Sequence, residues 1–259
     1  ANDYSFGSSL NEIHYQKKKK LDERNLILEN ILNTNFSIKN NKKNLLILGD
    51  SHADDLALIL SFNEEISENF NIKKVNFGTY QFFRKNIDDI KKKSLLLKSN
   101  SYLKSDIIII ADRIYPYKST TELNWSLEGI SELYRLTNQS NKKLIISNMS
   151  PVFSGNYDPV RTILLRRKFG ENKLDEEIIK NRIFNLLSDK FYLTNQKLIN
   201  LSKKLNLKTL NKYSFFCNNK EKLCEYKTNK NELIFLDNNH ITVSGAKYLS
   251  KKVNLDIFR

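Results

Sequence analysis

With 259 residues, the chain is long enough to bury a large core as one α/β domain or as two smaller domains. Its 43 Lys and Arg exceed its 29 Asp and Glu, and the formal net charge of +14 permits nucleic acid, anionic lipid or an acidic glycan as a partner. Lysine is spread along the whole chain, however, and no arginine–aromatic cluster typical of single-strand binding occurs, so we expect no nucleic-acid partner. No apolar run approaches the length of a membrane span and the N-terminus lacks a signal-peptide core, so we expect the chain itself to be soluble.

The first 43 residues are expected to form an extension that leads into the folded domain. Apolar residues recur at helical spacing over Leu21–Leu32, which predicts an amphipathic helix, and a polar linker over Asn33–Lys43 follows it. The predicted division is therefore an N-terminal helical extension of residues 1–43 and one domain of residues 44–259.

From residue 44 onward, apolar strand-like segments alternate with helix-like segments. The predicted strands are Leu45–Leu48, Lys73–Phe77, Asp106–Ala111, Leu144–Ser147 and Leu207–Leu210. The predicted helices are Asp54–Phe62, Lys85–Leu97, Glu122–Asn138, Asn195–Leu205 and a last one that ends near Val253, with a long charged segment over Val160–Leu187. Alternation with uniformly apolar strands predicts a parallel sheet of about five strands covered on both faces, which is a three-layer α/β/α sandwich. Functional residues of such sheets lie at the carboxyl ends of the strands.

Ser51 lies directly after the first predicted strand, in the stretch Gly49-Asp50-Ser51-His52. A serine between a buried strand and a helix has its hydroxyl at the rim of the sheet. There the free N–H groups and the positive dipole end of the helix favour developing negative charge. The same residues would also suit an ordinary turn with Asp50 or Ser51 as N-cap, so this turn alone does not predict a nucleophile.

A candidate base and its orienting group, His240 and Asp237, lie three residues apart before the last helix. An imidazole titrates near neutrality and can take the proton of a serine, and a carboxylate can hold the imidazole tautomer and stabilise the imidazolium. Taken singly, Asp237 suits a turn or cap and His240 a surface loop. Together with Gly-Asp-Ser, they favour a triad of Ser51, His240 and Asp237.

The two cysteines, Cys217 and Cys224, lie close together in a polar loop. Either they form a local disulfide in an oxidising compartment or they are two free thiols in the cytosol. Their offset of seven residues matches no usual zinc-ligand spacing and the three histidines are scattered, so we expect no metal and no cofactor.

These motifs together resemble those of SGNH (GDSL-type) hydrolases, in which Ser, Asp and His occur in this order with the same Asp–His offset. Gly49–His52, Asp106–Tyr117, the cysteine pair and Leu236–Ala246 are similar, more narrowly, to one subfamily. It is the SGNH domain fused to the integral-membrane acyltransferase family 3 domain in bacterial O-acetyltransferases of lipopolysaccharide O-antigen and related surface glycans. The resemblance covers about residues 44–255 and implies an SGNH-hydrolase (flavodoxin-like) fold.

The resemblance implies a role for each matching residue. Ser51 would be the nucleophile, His240 the general base and acid, and Asp237 the group that orients His240. The backbone N–H groups of Ser51 and Gly78 would hold the oxyanion. A glycine that ends a strand is also an ordinary turn residue, so the role of Gly78 is the weaker of these assignments.

The sequence departs from the wider superfamily after the third strand, where Ala111-Asp112-Arg113 stands in place of a Gly-x-Asn-Asp motif. No asparagine is present there as a third oxyanion donor, an absence that the resemblance associates with the fused subfamily. Arg113 is then either a replacement donor or a structural partner of Asp112 or Asp50, and these alternatives stay open.

The resemblance also implies where the domain works. It places the domain in the periplasm, on the outer face of the bacterial inner membrane, and makes a disulfide between Cys217 and Cys224 the favoured alternative. The N-terminal extension would be a tether, and the full-length protein would be held at the membrane beside a domain that delivers the acetyl group.

Three functions follow from these motifs. An O-acetyltransferase would carry the acetyl group as an ester on Ser51 and pass it to a glycan hydroxyl, whereas a carbohydrate or lipid esterase would use the same triad with water as the second nucleophile. A non-catalytic glycan-binding domain is the third, and the intact Ser-Asp-His set argues against it. We expect the O-acetyltransferase, with the esterase as the alternative.

Overall fold

A sheet of five parallel strands, in the order β2-β1-β3-β4-β5, forms the centre of the molecule. The computed structural model describes residues 10–36, 41–114, 120–153, 175–237 and 240–259. The strands are β1 (Lys43–Gly49), β2 (Phe70–Asn76), β3 (Ile107–Ile110), β4 (Lys143–Ser147) and β5 (Lys208–Leu210). The apolar runs Leu45–Leu48 and Ile107–Ile110 are buried throughout, because helices cover a parallel sheet on both faces.

Helices connect these strands at almost all the predicted places. They are α1 (Leu10–Leu32), α2 (Ser51–Ser61), α3 (Glu64–Asn69), α4 (Tyr80–Phe83), α5 (Ile87–Lys98), α6 (Asn100–Leu103), α7 (Thr120–Gln139), α8 (Glu176–Phe184), α9 (Asp189–Lys204), α10 (Tyr213–Phe216) and α11 (Val243–Ser250). The sequence did not predict α3, α4, α6 and α10, because one or two turns are too short to show a helical period. It also did not predict α8, which lies in the charged segment Val160–Leu187. The beginning of the predicted segment Val160–Leu187 and the end of Asp106–Tyr117 lie outside the described residues.

The helices form a layer on each face of the sheet. On one side α1, α2 and α11 contact one another, and α1 and α2 pack against β2. On the other side α7 packs against β4, with α4 and α5 beside it. Right-handed crossovers between parallel strands require this division. The predicted three-layer α/β/α sandwich with an N-terminal helix is therefore confirmed.

The strand order reverses between β1 and β3, because the chain first leaves β1 for β2 and then returns to β3 on the other side. In open parallel sheets, the crevice at the carboxyl ends of the strands on either side of this reversal is the usual ligand site. Ser51 follows β1 and Asp112 follows β3, so the topology brings both residues to this crevice.

Two further features of the described chain bear on the predictions. Cys217 and Cys224 form a disulfide between β6 (Cys217–Asn218) and β7 (Leu223–Cys224), as predicted. Of the helices described, none is long and apolar enough to cross a membrane.

Candidate active site

Ser51 is the first residue of α2 and is half-buried. Gly49, two residues before it, has a φ of +152°, and a Cβ at that position would lie 2.8 Å from the carbonyl of Ala111. Glycine therefore allows β1 to pass this close to β3. Asp50 caps α2, since its Oδ1 accepts the backbone N–H of His52 at 3.0 Å. Among the described residues nothing accepts the backbone N–H of Ser51, which lies at the positive end of α2.

Asp237 and His240 meet in the loop that precedes α11. Asp237 Oδ2 lies 2.9 Å from Nδ1 of His240, and Asp237 Oδ1 accepts the backbone N–H of His240 at 2.8 Å. An ionised carboxylate only accepts hydrogen bonds, so Nδ1 carries the proton and Nε2 keeps a lone pair. The hydrogen bond to Asp237 raises the pKa of His240 against the opposing effect of burial, and the charge of Asp55 adds to the rise. In its neutral form, His240 thus has the tautomer that a serine base requires, and Asp237 stabilises the imidazolium that forms when Nε2 takes a proton.

The residues after His240 hold this loop in place. Thr242 caps α11 by accepting the backbone N–H of Gly245 at 2.9 Å. A Cβ on Gly245 would lie 2.5 Å from the carbonyl oxygen of Ile234, so glycine allows the start of α11 to lie against the preceding chain. The backbone N–H of Leu236 donates to the carbonyl of His240 at 2.7 Å and closes the loop around Asp237.

Asp55 connects the loop that bears His240 to the helix that bears Ser51. Ser51 and Asp55 are four residues apart on α2 and therefore lie on one face of the helix. The backbone N–H of Ile241 donates to Asp55 Oδ1 at 3.3 Å, so the residue that follows His240 is held one helical turn from Ser51. The structure thus links the segment that follows His240 to the helix that begins at Ser51, and the triad of Ser51, His240 and Asp237 stays a prediction.

His52, although it adjoins Ser51, is a poor candidate for the base. Its side chain is fully buried, and burial lowers its pKa well below the ordinary value, with the positive charges of Lys212 and Arg113 adding to the effect. A histidine that is shielded from solvent and stays neutral cannot exchange protons with a substrate at the surface. Of the two histidines beside α2, His240 is therefore the one that suits a base.

The predicted oxyanion donor Gly78 lies in the turn after β2, and its N–H already has a partner. This N–H donates to Gln81 Oε1 at 3.0 Å. Thr79 donates both its backbone N–H and its hydroxyl to Asp112 Oδ2, at 2.8 and 2.9 Å. Gly129 of α7 lies against the same turn, since a Cβ there would lie 1.9 Å from the carbonyl oxygen of Thr79. The turn is held by contacts with two other elements.

Asp112 and Arg113, at the position of the absent asparagine, follow β3. Burial raises the pKa of Asp112 to about 6, and the nearby charge of Asp50 adds to the rise. The backbone N–H of Arg113 donates to Asp50 Oδ1 at 3.2 Å, so the turn after β3 is tied to the turn that carries Ser51. This bond supports a structural role for the Arg113 backbone, and the role of its guanidinium as an oxyanion donor stays a prediction.

Several buried cations lie beside α2, Lys74 among them, and the sequence did not predict Arg24 and Lys212 as parts of the site. Arg24 Nη2 of α1 lies 2.9 Å from Asp55 Oδ1. Lys212 is fully buried, and its Nζ donates to the backbone carbonyl of His52 at 3.0 Å. Burial lowers the pKa of Lys212 to about 8 although nearby carboxylates oppose the shift. The sequence could have indicated that Arg24 is buried, because Arg24 lies on the same helix face as Leu28 and Ile31, which are buried.

A cleft of about 550 Å³ adjoins the turn after β2. Its lining includes Tyr80, Arg84, Asn86 and Asp88. The guanidinium of Arg84 lies 5.5 Å from the ring centre of Tyr80 and 5.2 Å from that of Trp125. Aromatic rings beside forked polar side chains suit a ligand that has both apolar faces and hydroxyl groups. No group of three His, Cys, Asp or Glu suitable for a metal occurs in the part of the chain that the structure describes.

Comparison with known proteins gives a family match and several likenesses of fold. The model of the SGNH domain (fused to AT3 domains) matches residues 22–254, and no curated protein matches the chain. The chain is similar to the periplasmic domain of a lipopolysaccharide acetyltransferase from Salmonella ser. Paratyphi A, with a TM-score of 0.70 and 14% identity over 97% of this chain and 98% of that one. At 14% identity, this likeness shows that the two chains share a fold.

Two other solved structures resemble the chain less closely. One is an acetylxylan esterase from Geobacillus stearothermophilus, with a TM-score of 0.45 and 14% identity over 83% of this chain and 94% of that one. The other is a GDSL-like lipase from Bacteroides thetaiotaomicron, with a TM-score of 0.44 and 12% identity over 91% of this chain and 93% of that one.

Proposed function

We propose that this chain is an O-acetyltransferase domain. The premise is that the chain belongs to the family of SGNH domains fused to AT3 domains. It would carry an acetyl group as an ester on Ser51 and pass it to a hydroxyl of a bacterial surface glycan. One observation carries the proposal. The contact between Asp237 and His240 is tied, through Ile241 and Asp55, to the helix that begins at Ser51.

In the first half of the reaction, the acetyl group moves from its donor to Ser51. Nε2 of His240 takes the hydroxyl proton while the serine oxygen attacks the acetyl carbonyl, and the positive charge that forms on His240 is stabilised by Asp237. The tetrahedral intermediate then expels the donor group, which receives the proton from Nε2. The products of this half are acetylated Ser51 and neutral His240.

In the second half, the glycan hydroxyl takes the place of the donor. His240 removes its proton, the glycan oxygen attacks the ester carbonyl, and the bond to Ser51 breaks as the serine oxygen regains a proton from His240. Water in the same position would release acetate and make the domain an esterase. The identity of the second nucleophile, and not the triad, therefore separates transferase from esterase.

Negative charge on the carbonyl oxygen needs donors in both halves. The backbone N–H of Ser51 at the positive end of α2 would be the first, and such a donor is worth about 2.7–4 kcal/mol of transition-state stabilisation. Gly78 would be the second, which requires its N–H to exchange Gln81 Oε1 for the oxyanion. Arg113 would supply the third from the turn after β3.

The cleft beside Tyr80 would hold the acceptor. It begins at the turn that carries Gly78, and the charges of Asp112 and Asp50 are close enough to Tyr80 to raise the pKa of its phenol, after the larger effect of burial. Tyr80 and Arg84 would bind one sugar ring of the glycan, with its reacting hydroxyl toward Ser51. Lipopolysaccharide O-antigen or a similar glycan is the proposed class of acceptor.

The cellular setting follows from the fusion that the family describes. An integral-membrane acyltransferase domain would deliver the acetyl group, and the domain would lie in the periplasm, tethered to the inner membrane by its N-terminal side. The likeness to a periplasmic domain of a lipopolysaccharide acetyltransferase supports this setting.

The test combines a chromogenic acetyl ester, an O-antigen oligosaccharide and mass spectrometry of both protein and glycan. We expect an acetyl group first on Ser51 and then on the glycan.

Ser51→Ala should abolish both products while the circular dichroism spectrum stays unchanged, and Ser61→Ala, at the other end of α2, is the matched control. Arg84→Ala should lower transfer to the glycan and spare release of the chromogen. Full activity of Ser51→Ala would contradict the proposal. Release of acetate without any acetylated glycan would favour the esterase.

A further inference from the structure

Arg24 and Asp55 form an ion pair in the interior of the domain. Their side chains are 6% and 0% exposed, and Nη2 lies 2.9 Å from Oδ1. Burying two charges costs several kcal/mol in lost hydration, and an apolar pair of similar size is often at least as stable. Stability therefore gives no reason for a cation at this position of α1, where Leu28 and Ile31 pack against the same layer.

One oxygen of Asp55 joins three elements of the fold. Asp55 Oδ1 accepts from Arg24 of α1 and also from the backbone N–H of Ile241 at 3.3 Å. Asp55 itself lies one turn after Ser51 on α2. The segment that holds the base, the helix that holds the nucleophile and the N-terminal helix consequently meet at a single atom.

The charge of Asp55 depends on Arg24. Complete burial raises the pKa of Asp55, and the Arg24 cation is the largest opposing influence, followed by His240 and the buried Lys212. Without Arg24, a carboxyl in this position would take up a proton rather than stay ionised among apolar neighbours. A neutral carboxyl accepts the N–H of Ile241 more weakly than a carboxylate does, because charge-assisted hydrogen bonds are about twice as strong.

We propose that Arg24 is a positioning residue of the active site, which keeps Asp55 ionised so that Asp55 holds Ile241 and thereby sets His240 against Ser51. This inference rests on the proposed function, in which His240 is the base. It also makes α1 a part of the catalytic unit, although α1 precedes the first strand of the sheet.

The charges around His240 determine in which direction its pKa should change when Arg24 is replaced. The charges that act on His240 include those of Asp237 on its own segment, Asp55 on α2 and Arg24 on α1, and His240 and the buried His52 of α2 also influence each other. The hydrogen bond to Asp237 raises the pKa of His240 most, Asp55 raises it further, and Arg24 lowers it to a smaller extent than Asp55 raises it. His52 is neutral.

Two outcomes for an Arg24 variant are therefore opposite in direction. Loss of the Arg24 charge alone would raise the pKa of His240. Loss of the Arg24 charge together with protonation of Asp55 would lower it, because the contribution of Asp55 is the larger one. The proposal requires the second outcome.

The experiment measures the His240 titration by NMR and kcat/KM for a chromogenic acetyl ester in the whole chain. We expect Arg24→Met to move the His240 midpoint to lower pH, in the same direction as Asp55→Asn, and to lower kcat/KM by about 10- to 100-fold, as a small misplacement of a catalytic group does. Arg24→Lys keeps the charge and should keep the wild-type midpoint and most of the activity.

Leu28→Ala is the matched control, because it removes packing from the same face of α1 and leaves the ion pair in place. It should lower the melting temperature and leave the His240 midpoint unchanged. A midpoint in Arg24→Met at or above that of the wild type would overturn the proposal, and so would an equal shift in Leu28→Ala.

The NMR titration does not require catalysis, so the two proposals can fail separately. If Ser51→Ala stays active while the midpoints move as expected, the proposed function is wrong and only the electrostatic link from Arg24 through Asp55 to His240 stands. If Ser51→Ala is inactive while the midpoint in Arg24→Met does not fall, the proposed function stands and the role of Arg24 is wrong.

Discussion

At the sheet edge that carries Ser51, two polar groups on one side are free within the described part of the chain, and those on the other side already have hydrogen-bond partners. On the side of β1, the backbone N–H of Ser51 has no acceptor among the described residues, and Nε2 of His240 keeps its lone pair while Asp237 holds Nδ1. On the side of β2 and β3, Gln81 accepts the N–H of Gly78, and Asp112 accepts both donors of Thr79.

The difference indicates which half of the site is already organised for catalysis. On the side of β1, the contact between Asp237 and His240 is already formed, and the backbone N–H of Ser51 is free for an oxyanion. On the side of β2, the Gly78 N–H is bound internally, so substrate must displace Gln81 before Gly78 can serve. Three substitutions test this contrast.

Asp237→Asn should have the largest effect, since it removes the group that holds the tautomer of His240. We expect kcat to fall by about 10⁴-fold, the order seen when the carboxylate of a serine triad is replaced by an amide. Loss of this hydrogen bond, the largest cause of the raised pKa of His240, should also move the acid limb of the pH profile to lower pH. Kinetics across pH measure both changes. Asp256→Asn, on the exposed C-terminal turn, is the control, and an unmoved acid limb would contradict the assignment of Asp237.

Asp112→Asn probes the electrostatics on the side of β2 and β3. The folded-state pKa of Asp112 is raised from 3.8 to about 6, so the folded protein binds a proton that the unfolded chain has released in this window. Stability contributed by Asp112 is therefore lost as pH rises from about 4 to 6, by about 3 kcal/mol at 1.36 kcal/mol per pH unit.

In Asp112→Asn, no carboxylate titrates, so this stability is not lost as pH rises. The asparagine side chain can still accept both hydrogen bonds from Thr79. Its stability relative to the wild type should therefore increase as pH rises from 4 to 7, which urea unfolding at each pH measures. Asp106→Asn, at the opposite end of β3, is the control for loss of a carboxylate beside the same strand. A constant difference for Asp112→Asn across this range would mean that Asp112 is ionised throughout.

Gly129→Ala should act on the side of β2 and β3 alone. Its Cβ would lie 1.9 Å from the carbonyl oxygen of Thr79, so the turn that carries Gly78 must move. We expect kcat to fall by about 10²-fold, as for a misplacement of about 1 Å, with the pH midpoint of His240 unchanged. Ser131→Ala, on the same helix, is the control. Unaltered kcat would show that the oxyanion is held elsewhere and would remove Gly78 from the site.

Sequence motifs predicted those parts of the site that carry their own chemistry. A serine after an apolar strand and a carboxylate three residues before a histidine are recognisable by residue type and order, and the structure joins Asp237 to His240 and ties the next residue, Ile241, to α2. The central strands β1, β3 and β4 were predicted because buried parallel strands are rich in apolar residues. The partner of the Gly78 N–H was not predicted, because Gln81 looks like any polar residue of a short helix.

The sequence by itself determined the fold class, the strands and helices long enough to show a period, and the residues able to act as nucleophile, base and orienting carboxylate. Only the tertiary structure decided how they are joined, because the joining contacts link residues far apart along the chain. Arg24 and Asp55 are separated by 31 residues, and Asp55 and Ile241 by 186. No local pattern specifies such pairs, since they form only when the sheet and its two helical layers bring α1, α2 and the C-terminal loop together.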